Sequence, residues 1–199
     1  DFVKSGTGVL ILDAENTYTG STTVTGGTLR PSFSDAIPAD SVVNVNGGTL
    51  DLNFGSLTNT INVAGGTLAN GTVDLSQLNA TTGQVSANIA GNLLGFIKDS
   101  AGTLVLSGFN TFTGGVDVLA GTLQLGSTTA LGENLVTVDG GILDLGQQTI
   151  ANAIVLDAGT IANGSLDLAQ LTANAGTVAA VLTGTGGFTR NGTGILTLS

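Results

Sequence analysis

Apolar and polar residues alternate along much of the chain. Val43-Asn-Val45-Asn-Gly-Gly-Thr-Leu50-Asp-Leu52 alternates on both sides of a Gly-Gly pair. Ile61-Asn-Val63-Ala-Gly-Gly-Thr-Leu68 and Val136-Thr-Val138-Asp-Gly-Gly-Ile-Leu143-Asp-Leu145 do the same. A period of two gives a strand with one apolar face. No stretch sustains a helical period. The pattern predicts short strands with glycines at the corners.

The alternation is itself periodic. A Gly, a small or polar residue and then an aliphatic recurs with Gly at 8, 27, 48, 66, 83, 102, 121, 141, 159, 176 and 194, at spacings of 17 to 21 residues. A longer repeat encloses this one. Phe96-Ile-Lys98-Asp-Ser-Ala-Gly102-Thr-Leu104-Val-Leu106 matches Phe2-Val-Lys4-Ser-Gly-Thr-Gly8-Val-Leu-Ile-Leu12, and matches Phe188-Thr-Arg190-Asn-Gly-Thr-Gly194-Ile-Leu196-Thr-Leu198. Further in, Asn16-Thr-Tyr-Thr-Gly20 pairs with Asn110-Thr-Phe-Thr-Gly114, and Thr49-Leu-Asp-Leu52 with Ile142-Leu-Asp-Leu145. Residues 1–199 are therefore read as one fragment: a first unit at 2–95, a second at 96–187 and the start of a third at 188–199. The recurring signature comprises Phe96, Lys98, Gly102, Leu104, Leu106, Asn110, Gly114, Gly121 and Leu123, and returns at Phe188, Arg190, Gly194, Leu196 and Leu198. The chain opens at Asp1 without a leader and stops inside a motif, so a piece of a longer protein is expected.

Gly-Gly between alternating runs also suits hairpins. Hairpins do not require near-equal intervals, whereas a β-solenoid does, because each coil stacks on the last in register. The spacing predicts an all-β solenoid of about ten coils of 17–21 residues. At about 4.8 Å per coil it would be roughly 48 Å long. Aliphatics would stack inward, and Thr, Asn, Ser and Asp would cover the outside. A right-handed parallel β-helix is expected, since the strict six-residue register of the left-handed form is absent. The calcium roll motif Gly-Gly-x-Gly-x-Asp is absent too. Both prolines fall in 30–40, the best loop candidate.

Composition narrows the chemistry. Gly is 32 of 199 residues and Thr is 30, while charged residues are only 9% and mean hydropathy is +0.42. That balance excludes a disordered chain and disfavours helix. With no Cys and no His there is no thiolate or imidazole for zinc, copper or haem, and no Ser-His dyad. The net charge of −10, with only Lys4, Arg30, Lys98 and Arg190 as cations, leaves no basic face for nucleic acid or an anionic membrane. No apolar run approaches a spanning helix.

The segment 101–125 resembles the passenger-associated transport repeat, also called the autotransporter-associated β-strand repeat. Residues 8–30 are a second match, and 184–198 resemble its beginning. The resemblance implies a Gram-negative autotransporter passenger, secreted and displayed at the cell surface by type V secretion. It also implies a right-handed parallel β-helix and, as partner, an outer-membrane β-barrel at the C-terminus of the same polypeptide, not in this chain. The family repeat is thought to aid passage and folding of the passenger, and it carries no catalytic residues or cofactors. Absence of Cys suits a route through an oxidising periplasm.

Other side chains take structural readings. Asp51, Asp74, Asp144 and Asp167 lie opposite the aliphatics and are expected on a solvated outer face, with calcium between them as the alternative. Equivalent aspartates five coils apart, roughly 24 Å, are too distant for a glycosidase pair. Asn16, Asn70, Asn110 and Asn163 are expected to serve turns. Phe2, Tyr18, Phe96, Phe112 and Phe188 are expected to pack in core or corners. The cations of the Phe-x-Lys/Arg motif are expected to pair with carboxylates. Irregular Thr-x-Thr does not make an ice-binding rank, and 184–187 lacks the lysine and helix of a phosphate loop. The expected function is non-enzymatic: a β-helical module that promotes secretion and displays a distal effector. The alternative is an adhesin, a virulence factor binding a host surface or a second copy of itself.

Overall fold

The alternation becomes parallel stacking. In a computed structural model the chain forms a parallel β-helix of about ten coils. The structure describes all residues except 54, 92–94, 168–169 and 186–187. Each inward residue of a strand meets its counterpart one coil away, so like stacks on like. On one face Phe2–Lys4, Thr22–Val24 and Val43–Val45 stack onto the start of Ile61–Ala69, which stacks onto the start of Leu78–Val85. The same face resumes with Phe96–Lys98, Val116–Val118, Val136–Val138, Ile154–Leu156 and Leu171–Ala173.

A second face carries the row Leu10, Leu29, Leu50, Leu68 and Val85. In the second unit the equivalent row is Leu104, Leu123, Leu143, Ile161 and Val178. The two rows do not join end to end. Val85 pairs with Leu106, and Leu104 pairs with Gly83. Likewise Val178 pairs with Leu198, and Leu196 with Gly176. The ladder thus slips by two residues where one unit meets the next. A slip of two preserves which side chains face inward, whereas a slip of one would reverse them.

The core is mainly aliphatic: Val24, Leu29, Leu50, Val63, Leu104, Val138, Leu143 and Ile161 have no exposed surface. Polar residues are not confined to the outside, however. Thr22, Ser41, Asn59, Asn110 and Asn134 are buried. Each coil must turn its backbone at corners, and carbonyls left over at a corner need donors. The asparagines supply them. Asn59 Nδ2 donates to Pro38 and Ser41 carbonyls at 2.8 and 2.9 Å, and Asn134 Nδ2 donates to Phe112 and Leu131 carbonyls at 3.0 and 2.8 Å. The expected loop is compact: Ser34–Ala36 is a 3-10 turn, and Ala36 and Ile37 are fully buried.

Candidate functional site

The signature residues build a repeated corner. Phe96 and Lys98 point inward from Phe96–Lys98, and Lys98 is completely buried. This corrects the expectation of a pair with a carboxylate. The Lys98 ammonium donates to the Ser100 carbonyl, to Ser100 Oγ at 3.2 Å and to the Ala120 carbonyl at 3.3 Å. Lys4 repeats the arrangement, donating to the Ser5, Gly6 and Gly26 carbonyls at 3.0, 3.1 and 2.9 Å. A cation surrounded by backbone acceptors gains charge-assisted hydrogen bonds that offset its desolvation. Burial pushes the Lys98 ammonium below the usual lysine range, with Asp99 pulling it back up.

Space for the ammonium comes from glycine. Gly121 has φ +64°, and a Cβ there would lie 2.7 Å from Lys98 Nζ and would collide with the Ser100 carbonyl. Gly27 has φ +61° and stands in the same relation to Lys4 Nζ, at 2.6 Å. Gly102 and Gly114 also take positive φ, and Leu104, Leu106 and Leu123 are core. Asn110 is buried, receives the Ile89 N–H at 2.8 Å and donates to the Ala130 carbonyl at 2.6 Å. Phe2 stacks on Tyr18 at 5.4 Å between centroids, and Phe96 meets Phe112 at 6.1 Å. In the third copy, at the end of the stack, Phe188 and Leu196 are half-buried and Gly194 and Leu198 are exposed. Arg190 is exposed there and donates to the Gly194 carbonyl. Gly186 and Gly187 of the excluded phosphate loop lie outside the described residues.

The aspartates are not one solvated face. Asp51 is buried, with 5% exposure, and accepts from three successive coils. Arg30 on the preceding coil forms an ion pair with it, Asn53 N–H donates at 2.9 Å, and Asn70 Nδ2 on the following coil donates at 2.8 Å. The reason is the corner that follows: Asn53 and Asn70 both take φ +51°, which folds backbone and amide donors onto the carboxylate. Burial, the largest influence, pushes the Asp51 carboxyl up. The hydrogen bonds from Asn70, Asn53 and Arg30 together outweigh it and hold the group below the usual carboxylate value. The second unit repeats the clamp in neutral form. Gln124 and Asn163 donate to Asp144 at 3.3 and 3.0 Å, and Gly146 N–H donates at 2.9 Å. Asn163, at φ +59°, and Asn70 therefore hold left-handed corners as expected. Asp74 is exposed and bonded to Ser76, whose hydroxyl and backbone N–H hold its carboxyl below the usual value. Among the described residues no group of three or more acidic side chains gathers to hold a metal.

The geometry therefore defines a repeat scaffold, with side chains spent on holding coil to coil. The sequence profile of the passenger-associated transport repeat matches residues 2–30 and 96–125, which are the two lysine corners with their following coil. The chain is 37% identical over 233 aligned positions to the "Adhesin BmaC autotransporter" of Brucella suis biovar 1 (strain 1330). The alignment takes in all of this chain and 6% of that relative's length. No solved structure matches. The chain thus carries two passenger-associated transport repeats within its β-helix, and over its whole length it is similar to a small part of an autotransporter adhesin.

Proposed function

We propose that the chain is a non-catalytic segment that helps its passenger cross the outer membrane and fold outside, and then holds distal parts away from the cell. The observation that carries this is the reach of its contacts. The lysine corners, aspartate clamps and asparagine bonds each span one coil, with partners mostly 17 to 22 residues apart. A coil emerging from a pore can lock onto the one before it without waiting for the rest of the chain. A locked coil cannot slip back, which biases export without ATP. The divisions 2–95, 96–187 and 188–199 are units of this process, each opening with its Phe-x-Lys/Arg corner. The partner for passage is a C-terminal barrel of the same polypeptide.

The second reading, an adhesin that binds a host surface or another copy of itself, is favoured by the name of the Brucella relative. Deleting residues 96–187 from the full-length protein in its own host separates the two. The export reading expects a sharp fall in displayed passenger. Normal display with lost clumping per displayed molecule would replace it by the adhesin reading. Normal display and clumping would leave a spacer alone.

A further inference from the structure

Among the described residues the first face of the helix is interrupted at one place. Its ladder runs to the strand beginning at Leu78 and resumes at Phe96–Lys98, yet no hydrogen bond joins Leu78–Ala80 to Phe96–Lys98 among the described residues. The flanking faces of these two coils stay paired, through Thr72–Asp74 with Asn88–Ala90 and through Gly83 with Leu104. Among the described residues this side alone is open, and it closes again just beyond Ala80, where Ser100 Oγ donates to the Thr81 carbonyl at 3.2 Å. Most Cα atoms of the two edges lie more than 8 Å apart, against about 4.8 Å for paired strands. The opening is a cleft of about 390 Å³ between the edges, lined by Leu75, Leu78, Phe96 and Ile97, with Asp74 and Asp99 also on its walls.

The same junction is closed in the next copy. There Ala173 N–H donates to the Thr189 carbonyl at 2.9 Å, and Thr189 N–H to the Leu171 carbonyl at 3.3 Å. By repeat equivalence the matching groups are Ala80 N–H, Ile97 N–H and the carbonyls of Ile97 and Leu78. Both edges of the open junction thus present a donor and an acceptor toward the cleft.

We propose that this gap is a strand-acceptor site: an extended peptide segment inserts between Leu78–Ala80 and Phe96–Lys98 and restores the ladder on both sides. Backbone pairing of this kind supplies affinity, and alternate side chains supply selectivity. The first and third residues of the inserted segment face inward, between Leu78 and Phe96 and beside Ala80, so they are small and apolar. The middle one faces solvent between Asn79 and Ile97. Asp74 precedes one edge strand and Asp99 follows the other, both exposed, so basic residues fit at the ends of the segment. The partner is a basic–apolar–polar–apolar–basic strand, opposite in charge to this chain at −10. This goes beyond the export role and does not depend on it.

The test uses the 199-residue chain and the fluorescein-labelled peptide Lys-Val-Thr-Val-Lys. Saturable anisotropy is expected, together with amide exchange at Ala80 and Ile97 slowed by about tenfold or more on peptide addition. Exchange at Ala173 and Thr189, already paired, should not change. The peptide N-methylated at both valines keeps its charge, loses backbone donors and should not bind. Asp99→Asn should weaken binding by about threefold. Three results would each overturn the proposal: no binding at about 1 mM peptide, equal binding of the N-methylated peptide, or full protection of Ala80 and Ile97 before any peptide is added.

Discussion

Arg30 donates Nε–H and Nη2–H to the same oxygen of Asp51, at 3.0 and 2.6 Å, across one coil boundary. Asn70 reaches the other oxygen of that carboxylate from the opposite side. One carboxylate therefore ties three coils. Asp51→Ala removes the acceptor and leaves the Arg30 and Asn70 donors without it. We expect a loss of about 2–3 kcal/mol at neutral pH. Urea unfolding followed by far-UV circular dichroism measures it.

The same group sets an acid limit. Its folded value is held below the ordinary 3.8. Its contribution is thus complete above the unfolded value and is lost as pH falls through the folded one. Thermal midpoints should fall as pH drops from about 4 toward 2, and Asp51→Asn should flatten part of that fall. Equal acid sensitivity in the variant would remove Asp51 from the account.

The lysine corner predicts a strong coupling. Lys98→Met leaves the Ser100 and Ala120 carbonyls without their donor and should cost about 3 kcal/mol. Gly121→Ala puts a methyl group where the ammonium and a carbonyl already stand, at a φ that disfavours any side chain. It should cost at least about 3 kcal/mol. The double variant should be less destabilised than the sum, because Lys98→Met removes the group that Gly121→Ala crowds. Strict additivity in a double-mutant cycle would contradict the contact.

Excising one whole unit should be tolerated. Joining Gly95 to Phe188 recreates a junction of the kind already present between Gly95 and Phe96. The product lacking 96–187 should keep its strand content per residue and shorten by about 24 Å. Small-angle scattering reads the length, and circular dichroism the content. An unfolded product would show that the units are not interchangeable.

The fold was legible because alternation and a coil-length period are both one-dimensional signals. Gly8, Gly27 and most of their successors mark corners, although Gly66, Gly83 and Gly176 lie within strands Ile61–Ala69, Leu78–Val85 and Gly176–Thr183, and the leucine rows follow. The clamps were less legible. Alternation alone puts Asp51 outside with Asp74, and only Asp74 is there. What distinguishes them is the left-handed Asn53 and the arginine one coil back, a contact 21 residues away that local pattern does not reveal. Lys98 misled in the same way. Its position two residues after Phe96 already gave inward parity, but a charged side chain reads as surface unless acceptors can be foreseen. Asn70 preceding Gly71, by contrast, declared its corner directly.

The two-residue slip at each junction bears on how such chains change length. Every contact described reaches one coil at most, and the slip recurs at the same point of each copy. Unequal crossing-over between the two copies, at matching positions, would therefore deliver intact corners, clamps and ladder parity in the recombinant. A crossover out of phase by an odd number of residues would turn a run of leucines to the solvent. Selection on such genes would see length variants in whole units, produced at once and already able to fold.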